Sequence, residues 1–242
     1  QNKRLTNRKL DEYRKVELSY EVSKNADGSA RCKIGDTEVI VGVKFDIGEP
    51  YTDSPDEGTI IVTAELSPIA SPEFELGPPG QQATELARVV DRGIRESNAI
   101  DFKKLCIKKG EKIWMIFIDI YPVNDDGNLI DASALAALGA LKTARFPKVE
   151  NDRIVYGEYT GKKLELEKTP ITCTFGKISN KIILDPGMQE EMVLDARLTL
   201  ATYDGKIHAM QKGEEKGLKM EEIMQMVDIA IAKEKELKKL LK

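Results

Sequence analysis

Short alternating runs of apolar and polar residues fill the first third of the chain and predict β-strands. Side chains alternate between the two faces of a strand, so a two-residue period is typical of a sheet with one buried face. Turn residues separate the runs at Asp27-Gly28, Gly35-Asp36 and Gly48-Glu49-Pro50. Because these breaks are short, we expect hairpins. The predicted strands cover residues 16–22, 30–34, 38–45 and 59–66.

A helical period replaces this alternation at two places in the middle of the chain. It predicts α-helices over residues 83–97 and 130–145. The first helix follows Gly77-Pro78-Pro79-Gly80. We expect this stretch to be extended, because proline fixes φ and disfavours helix in the residue before it. The second is rich in alanine, which permits close packing on a sheet. Between them, residues 113–121 are apolar except for Asp119, which predicts a buried central strand.

The second half repeats the plan of the first, with hairpins followed by a helix. We therefore predict one α+β domain spanning residues 1–242, with pseudo-duplicated β-α halves at about 14–110 and 111–242. No Ser/Gly-rich linker separates the halves. Residues 156–167 are polar and are expected to form a mobile loop. The predicted elements of this half are strands over 171–178, 181–184, 193–202 and 206–210, and a helix over 218–241.

Composition indicates a protein with its own hydrophobic core and suggests its cellular compartment, but it does not define a function. Of 242 residues, 41% are hydrophobic, which is enough for a core. The formal net charge is −4, so contact with nucleic acid would depend on a local patch. Three widely spaced cysteines, Cys32, Cys106 and Cys173, favour buried thiols in a reducing compartment. No membrane span or signal peptide is evident, so we expect a cytoplasmic protein with no membrane contact.

Arg88, Arg92 and Arg95 follow one another at helical steps of four and three within the first predicted helix. This spacing places the three guanidinium groups on one narrow stripe. Since arginine can hold a phosphate with two parallel hydrogen bonds, the stripe is a candidate surface for a single nucleic-acid strand. The alternative is a solvated face of ion pairs at i, i+4, such as Asp91 with Arg95 and Arg92 with Glu96.

Most chemistry with a recognisable sequence signature is absent. The single histidine, His208, lies in a strand-like run without a nucleophile nearby in sequence, which favours an ordinary core or surface residue. The sequence contains no cluster of metal ligands, no Walker loop, no G-x-S-x-G elbow and no G-x-G-x-x-G fingerprint. Asp195 lies in a run otherwise suited to a buried strand, and an edge-strand surface charge is the alternative for it.

Six segments stand in a recognisable order along the chain: KLDEYR (9–14), DGSA (27–30), GDT (35–37), GPP (77–79), ELARVVDRGIRES (85–97) and DGNLIDA (126–132). Taken in this order, they resemble the RNase PH family, and within it the non-catalytic RNase PH-type subunits of the archaeal exosome. One departure is Thr6-Asn7-Arg8 in place of Asp-Gly-Arg. The resemblance covers nearly the whole chain and implies an RNase PH-like fold of the ribosomal protein S5 domain 2-like type.

The resemblance implies a ring of six subunits in which three chains of this kind alternate with three catalytic relatives. It further implies RNA-binding cap subunits and a single RNA strand that threads the ring to its 3′ end. Arg88 and Arg92 match arginines that contact RNA in the family, and Arg95 matches less well. Contacts of this kind grip the backbone without reading sequence.

Active members of the family cleave RNA by phosphorolysis, in which inorganic phosphate attacks the terminal linkage and a nucleoside diphosphate leaves. They hold the phosphate in a Gly-Thr/Ser-Arg type loop at a helix N-terminus. The matching loop, Gly127-Asn128-Leu129-Ile130-Asp131, lacks the arginine and the hydroxyl, and we expect the Asp131 carboxylate to face the phosphate position. Asp195 matches the family's acidic residue and is a vestigial candidate, since an acid without a phosphate site lacks half of the mechanism.

Three functions follow from these residues and from the resemblance. The first is a subunit with no catalytic residue, metal or cofactor of its own, which binds RNA and completes the site of a catalytic partner that uses inorganic phosphate. The alternative is a phosphorolytic 3′→5′ exoribonuclease in its own right, using Asp195 and an unrecognised phosphate site. A third is an RNA-binding scaffold outside any exosome.

Overall fold

The alternating runs of the first half form a mixed sheet in the computed structural model, which describes Arg4, residues 6–151 and residues 153–241. Its strands are β1 (Val16–Tyr20), β2 (Gly28–Ile34), β3 (Thr37–Gly48), β4 (Thr59–Ala64), β5 (Cys106–Lys108) and β6 (Lys112–Asn124). They lie in the order β1-β2-β3-β6-β4, with β5 on β6. Only the β4–β6 pair is parallel among these strands. Parallel pairing needs a long crossover, which contains helix α1 (Gln81–Glu96).

The second half forms an antiparallel sheet and an exposed hairpin. The sheet has the order β10-β9-β11-β12, and helix α4 packs on β9 and β11. The short helix α3 joins β10 to β11. The elements of this half are β7 (Arg145–Glu150), β8 (Arg153–Lys163), β9 (Ile171–Ile178), β10 (Lys181–Leu184), α3 (Met188–Glu191), β11 (Ala196–Tyr203), β12 (Lys206–Gly213) and α4 (Met220–Leu237).

Helix α2 (Leu129–Thr143) lies between the two sheets and joins them into one core. It packs on β2 and β3 of the first sheet and on β9 of the second. Every residue from Leu129 to Leu141 is buried, as is typical of a helix that is apolar on all sides. Its small residues permit this close approach: a Cβ added at Gly139 would lie 2.9 Å from the Cβ of Ala30 on β2.

The predicted α+β class is confirmed, but the sheets divide the chain differently from the predicted halves. Strand β6 begins just after residue 110 and pairs with β3 and β4, so it belongs to the first sheet. The proposed boundary at 110/111 therefore separates β6 from its sheet. The prediction that residues 1–242 form a single domain of pseudo-repeat halves stays a prediction.

Two further expectations for the second half are wrong. Residues 156–163, expected in a mobile loop, lie in β8, which pairs with β7. Both faces of β8 are largely exposed, so the sequence carries no alternation that predicts a strand. The strand expected over 193–202 begins only at Ala196, so Asp195 lies before it rather than inside it.

The structure agrees with the expected environment of two cysteines. Cys32 and Cys173 are buried, and burial raises the pKa of both thiols; Cys106 is partly exposed. No helix among the described residues is long and apolar enough to cross a bilayer. No group of three or more His, Cys, Asp or Glu side chains suited to a metal occurs in the described ranges.

The close contact between β2 and α2 predicts that Gly28→Ala destabilises the fold. A Cβ at Gly28 would lie 2.3 Å from the carbonyl oxygen of Ala140, and backbone atoms cannot move aside as a flexible side chain can. We expect the free energy of unfolding to fall by about 1–3 kcal/mol, as in other overpacked cores. Chemical denaturation measures this change.

Gly42→Ala is the matched control, because Gly42 lies on the neighbouring strand β3 and its added Cβ would meet nothing closer than 3.8 Å. We expect this variant to unfold at nearly the denaturant concentration of the parent protein. Equal effects of the two substitutions would contradict the packing argument.

Candidate nucleic-acid interface

Helix α1 turns an apolar face towards the core and an arginine stripe towards solvent. Leu86, Val90 and Ile94 are buried, whereas Arg88 and Arg92 are exposed. The stripe forms one wall of an open groove of about 1020 Å³, and strands β11 and β12 contribute to the other wall. We call this feature the α1–β12 groove; the residues that define it here are Glu85, Arg88, Arg92, Arg197, Lys212 and Gly213.

The two exposed arginines are largely free to bind a ligand. Arg88 has no hydrogen bond or ion pair with any described residue. Arg92 makes one long hydrogen bond, 3.4 Å from its Nη1 to Oε1 of Gln211 on β12. The alternative pair of Arg92 with Glu96 does not form among the described residues. Both guanidinium groups therefore offer unused donors to the groove.

Arg95 differs from its two neighbours because two of its three guanidinium nitrogens already donate hydrogen bonds. Its Nε and Nη2 donate to the Asp91 carboxylate, at 3.2 and 2.9 Å, and Nη2 also reaches the carbonyl oxygen of Ile60. Its guanidinium lies 5.5 Å from the ring centre of Phe102. The i, i+4 pairing weighed in the sequence thus holds for Arg95, which is not among the lining residues of the α1–β12 groove. Its role in RNA binding stays a prediction.

The opposite wall of the groove carries cations that the sequence analysis missed. Arg197 is the second residue of β11, and its Nη2 lies 2.5 Å from Oε1 of Glu85 on α1. Lys212 lies near the end of β12. One signal could have indicated Arg197: it is the one charged residue in the run from Ala196 to Tyr203. No pattern in the sequence places Lys212 beside α1.

The N-terminus of α2 is bonded by a carboxylate of the chain itself. Asn128 precedes the helix in a left-handed conformation, with φ of 58°, and its main-chain N–H donates to Oε1 of Glu191 at 2.8 Å. Burial, with the nearby Asp125 charge, raises the pKa of Glu191 to about 7, although the Asn128 N–H and the charges of Arg197 and Arg14 oppose this. Helix N-termini attract anions, and here the Glu191 carboxyl group already occupies that position.

Asp131 turns into the core, so the expectation that it faces a phosphate position is wrong. It is 2% exposed and accepts hydrogen bonds from the Tyr13 hydroxyl, from Asn128 Nδ2 and from both the main-chain N–H and the hydroxyl of Thr174. Burial outweighs these bonds and raises the pKa of Asp131 to about 6. Its carboxylate therefore links α2 to strand β9 and to the N-terminal segment.

Asp185 holds the N-terminal segment against the loop before α2. Its carboxylate accepts from Arg8 Nη1 at 2.7 Å, from Arg14 Nη2 at 2.8 Å and from Asn128 Nδ2 at 2.8 Å. Burial opposes ionisation, but the hydrogen bonds and charge of Arg14 keep the pKa of Asp185 below its usual value. Arg8, from the segment that departs from the Asp-Gly-Arg pattern, thus contributes to an ion-pair network.

Asp195 lies apart from these contacts with α2. Its carboxylate accepts from Lys216 Nζ and from the main-chain N–H of Ser179, both at 2.7 Å. The Lys216 hydrogen bond, helped by the Ser179 N–H, lowers the pKa of Asp195. A carboxyl with a lowered pKa stays ionised at neutral pH and is poorly suited to donate a proton. Whether it corresponds to the family's acid stays a prediction.

The fold and the sequence together define a class of protein. A family model described as 3′ exoribonuclease family, domain 1, matches residues 12–147, and the model of domain 2 matches residues 168–233. The chain therefore belongs to the RNase PH family of 3′ exoribonucleases. This result confirms the family and the RNase PH-like fold expected from the sequence motifs.

Within that family, two relatives similar over nearly their full length are exosome components. The chain is 46% identical to "Exosome complex component Rrp42" of Thermococcus gammatolerans, over 100% of this chain and 90% of the relative. It is 45% identical to the protein of the same name from Methanothermobacter thermautotrophicus, over 95% of this chain and 86% of the relative. Both alignments extend over nearly the full length of the two proteins.

Solved structures give the same result for the three-dimensional fold. A chain of an Archaeoglobus fulgidus exosome with RNA bound to the active site superposes with a TM-score of 0.93 at 45% identity. The match covers 100% of this chain and 93% of that one. Rice Rrp46 superposes with a TM-score of 0.74 at 18% identity, which supports the fold alone.

The position of Glu191 predicts a pH-dependent stability that Glu191→Gln removes. Its folded-state pKa of about 7 lies above the ordinary 4.5, so its contribution to stability is complete below pH 4.5 and is lost as the pH rises through 7. The variant and the parent protein should be similar at acid pH. The variant should become the more stable by at most about 3 kcal/mol above neutrality. Urea denaturation across this pH range measures the difference.

Glu190→Gln provides a control of opposite sign. Despite partial burial, the hydrogen bond from Arg4 lowers the pKa of Glu190, so its contribution is present at neutral pH and is lost on acidification. The Glu190 variant should therefore be less stable than the parent protein at neutral pH. A pH-independent difference for Glu191→Gln would contradict the assigned burial of its carboxylate.

Proposed function

We propose that this chain is a non-catalytic, RNA-binding subunit of an exosome, a phosphate-dependent 3′→5′ exoribonuclease ring. The observation that carries the proposal is the contrast between two neighbouring features. The α1–β12 groove offers the unpaired cations of Arg88 and Arg92, whereas the loop matching the family's phosphate site has its Asn128 N–H bonded to Glu191. This chain can bind the RNA backbone through the two arginines. The inorganic phosphate needed for phosphorolysis would lie beside the carboxyl group of Glu191.

The partners follow from the same proposal. A catalytic RNase PH-type subunit alternates with this chain in a six-membered ring, RNA-binding cap subunits recruit substrate, and single-stranded RNA passes the groove. No cofactor is bound by this chain, and inorganic phosphate is used at the partner's active site. The full-length similarity to exosome components and to a chain of an RNA-bound exosome supports this assignment. The cytoplasmic location expected from the sequence belongs to the proposal as well.

Electrostatics favours a backbone-binding role for the groove. The chain carries a formal net charge of −4, so it does not attract polyanions as a whole. The groove reverses this sign locally, because four cations line it, Arg88, Arg92, Arg197 and Lys212, against two glutamates, Glu85 and Glu214. Guanidinium groups bind phosphate oxygens whatever the base, which suits a complex that degrades RNA of any sequence.

Two observations argue against independent catalysis through Asp195. Lys216 keeps that carboxyl ionised, and the described contacts of Asp195 include none to the loop before α2. Phosphorolysis also needs a cationic site for the attacking phosphate. The loop from Gly127 to Asp131 provides no cation of its own, so the alternative function lacks a place for its nucleophile.

A phosphorolysis assay tests the proposed function directly. RNA and inorganic phosphate are given to this chain alone, to a catalytic RNase PH-type partner alone, and to the two mixed, and the mass of each sample is determined. We expect nucleoside diphosphates from the mixed ring and none from this chain. Robust release by the lone chain would overturn the non-catalytic assignment. Failure to assemble with the partner would favour a scaffold outside any exosome.

The open donors of Arg88 and Arg92 predict a specific salt dependence. In the assembled ring, Arg88→Ala and Arg92→Ala should each weaken binding of single-stranded RNA almost equally for all sequences. Each should lower the slope of log K against log salt by about one unit. Fluorescence anisotropy without inorganic phosphate measures binding while no RNA is consumed.

Arg31→Ala is the matched control for these variants. Arg31 is a partly exposed arginine that pairs with Glu38, and it lies on β2 outside the α1–β12 groove. We expect its slope to equal that of the parent ring. If Arg88→Ala and Arg92→Ala also leave the slope unchanged, the two arginines belong to a solvated face and the RNA-binding role fails.

A further inference from the structure

The arginine stripe of α1 is interrupted at the position where it approaches the N-terminal end of the helix. Glu85 precedes Arg88 by three residues, and Arg92 follows Arg88 by four, so all three lie on one side of α1. At 1.5 Å per residue, these steps are about 4.5 and 6 Å along the helix axis. A carboxylate therefore stands where a third cation would continue the stripe.

Arg197 restores a positive charge at that position from the opposite wall. Its Nη2 lies 2.5 Å from Oε1 of Glu85, and both side chains line the α1–β12 groove. The Arg197 side chain is 17% exposed and that of Glu85 is 32% exposed, so the pair borders the groove instead of being sealed in the core. Arg197, Arg88 and Arg92 thus form a row along the groove.

The backbone around Arg197 is shaped to receive its guanidinium. Gly213 faces Arg197 across the β11–β12 ladder, and a Cβ at Gly213 would lie 2.6 Å from Nη2 and 2.9 Å from Cζ of Arg197. The guanidinium therefore lies against the bare backbone of Gly213. Its Nε is buried and has no hydrogen-bond partner among the described residues. One carboxylate thus leaves part of the arginine fork unused.

We propose that Arg197 is the third phosphate-binding cation of the α1–β12 groove, and that Glu85 holds its guanidinium in place until an RNA phosphate replaces the carboxylate. This inference rests on the proposed RNA-binding function and adds a site residue to it. A phosphodiester oxygen takes over the hydrogen bond that Glu85 accepts in the free protein. Since ion pairs at a partly exposed surface are weak, the exchange of one anion for another carries little cost.

The inference makes Arg197 and Glu85 act with opposite signs on RNA binding. In the assembled ring, Arg197→Gln should weaken binding of a single-stranded oligoadenylate and lower the salt slope by about one unit, as Arg88→Ala does. Arg197→Lys should recover the slope, because it keeps the charge. Glu85→Gln should tighten binding, because it removes the competing anion. Fluorescence anisotropy without inorganic phosphate, over a salt series from about 50 to about 200 mM, gives the affinity and the salt slope of the three variants and of the parent ring.

Gly213→Ala tests the position of Arg197 with every charge retained. The added methyl group displaces the guanidinium, a flexible group, so we expect weaker RNA binding and an unchanged melting temperature of the ring. Gly217→Ala is its control, because nothing lies within 4 Å of a Cβ added there. Thermal unfolding of every variant separates loss of binding from loss of fold.

The possible outcomes separate this inference from the function on which it rests. If Arg88→Ala lowers the slope while Arg197→Gln does not, Arg197 only joins β11 to α1, and the inference is overturned although RNA binding stands. Weaker binding by Glu85→Gln also overturns it, since the ion pair would then support the groove instead of competing with RNA. If none of the arginine variants changes the slope, the RNA-binding function itself fails.

Discussion

The burial of α2 between two sheets is the constraint on which the rest of the structure depends. A helix with strands on two sides has to be largely apolar around its whole circumference, and the alanines and leucines of α2 meet this need, while Gly139 allows close contact with β2. Its polar N-terminus then has to be satisfied inside the protein, and Asn128, Asp131, Asp185 and Glu191 perform this task. The carboxylates that complete the fold are thus the same groups that leave this helix end poorly suited to bind an anionic substrate.

The three arginines of α1 show that neighbouring side chains decide whether a guanidinium group is available to bind a ligand. Arg88, Arg92 and Arg95 have one chemistry and one spacing, yet only the first two face the groove. Arg95 meets Asp91, one turn earlier on the same helix, and the carbonyl oxygen of Ile60 on β4. A chain with negative overall charge can therefore present a positive surface where ion pairing is incomplete.

Much of the fold could be predicted from the sequence, because hydrophobic periodicity reports which face of an element is buried. The strands of the first sheet, the helix of the arginine stripe and the buried helix all follow from it. The β7–β8 hairpin could not be found, since both faces of β8 are largely exposed and carry no alternation. Contacts between residues far apart in sequence could not be predicted from periodicity either. Glu191 contacts Asn128, 63 residues away in sequence, and Arg197 contacts Glu85, 112 residues away.

The ion pairs of the N-terminal segment bear on the order of events during synthesis. Arg8 and Asp185 are separated by 177 residues, and Arg14 and Asp185 by 171. At translation rates of about 5–20 residues per second, the arginines leave the ribosome on the order of ten seconds or more before their carboxylate is made. The first sheet can form in that interval, but the arginines that precede its edge strand β1 can pair with Asp185 only after β10 has left the ribosome. The segment from Arg8 to Arg14 is therefore among the last parts of the protein to reach its final place.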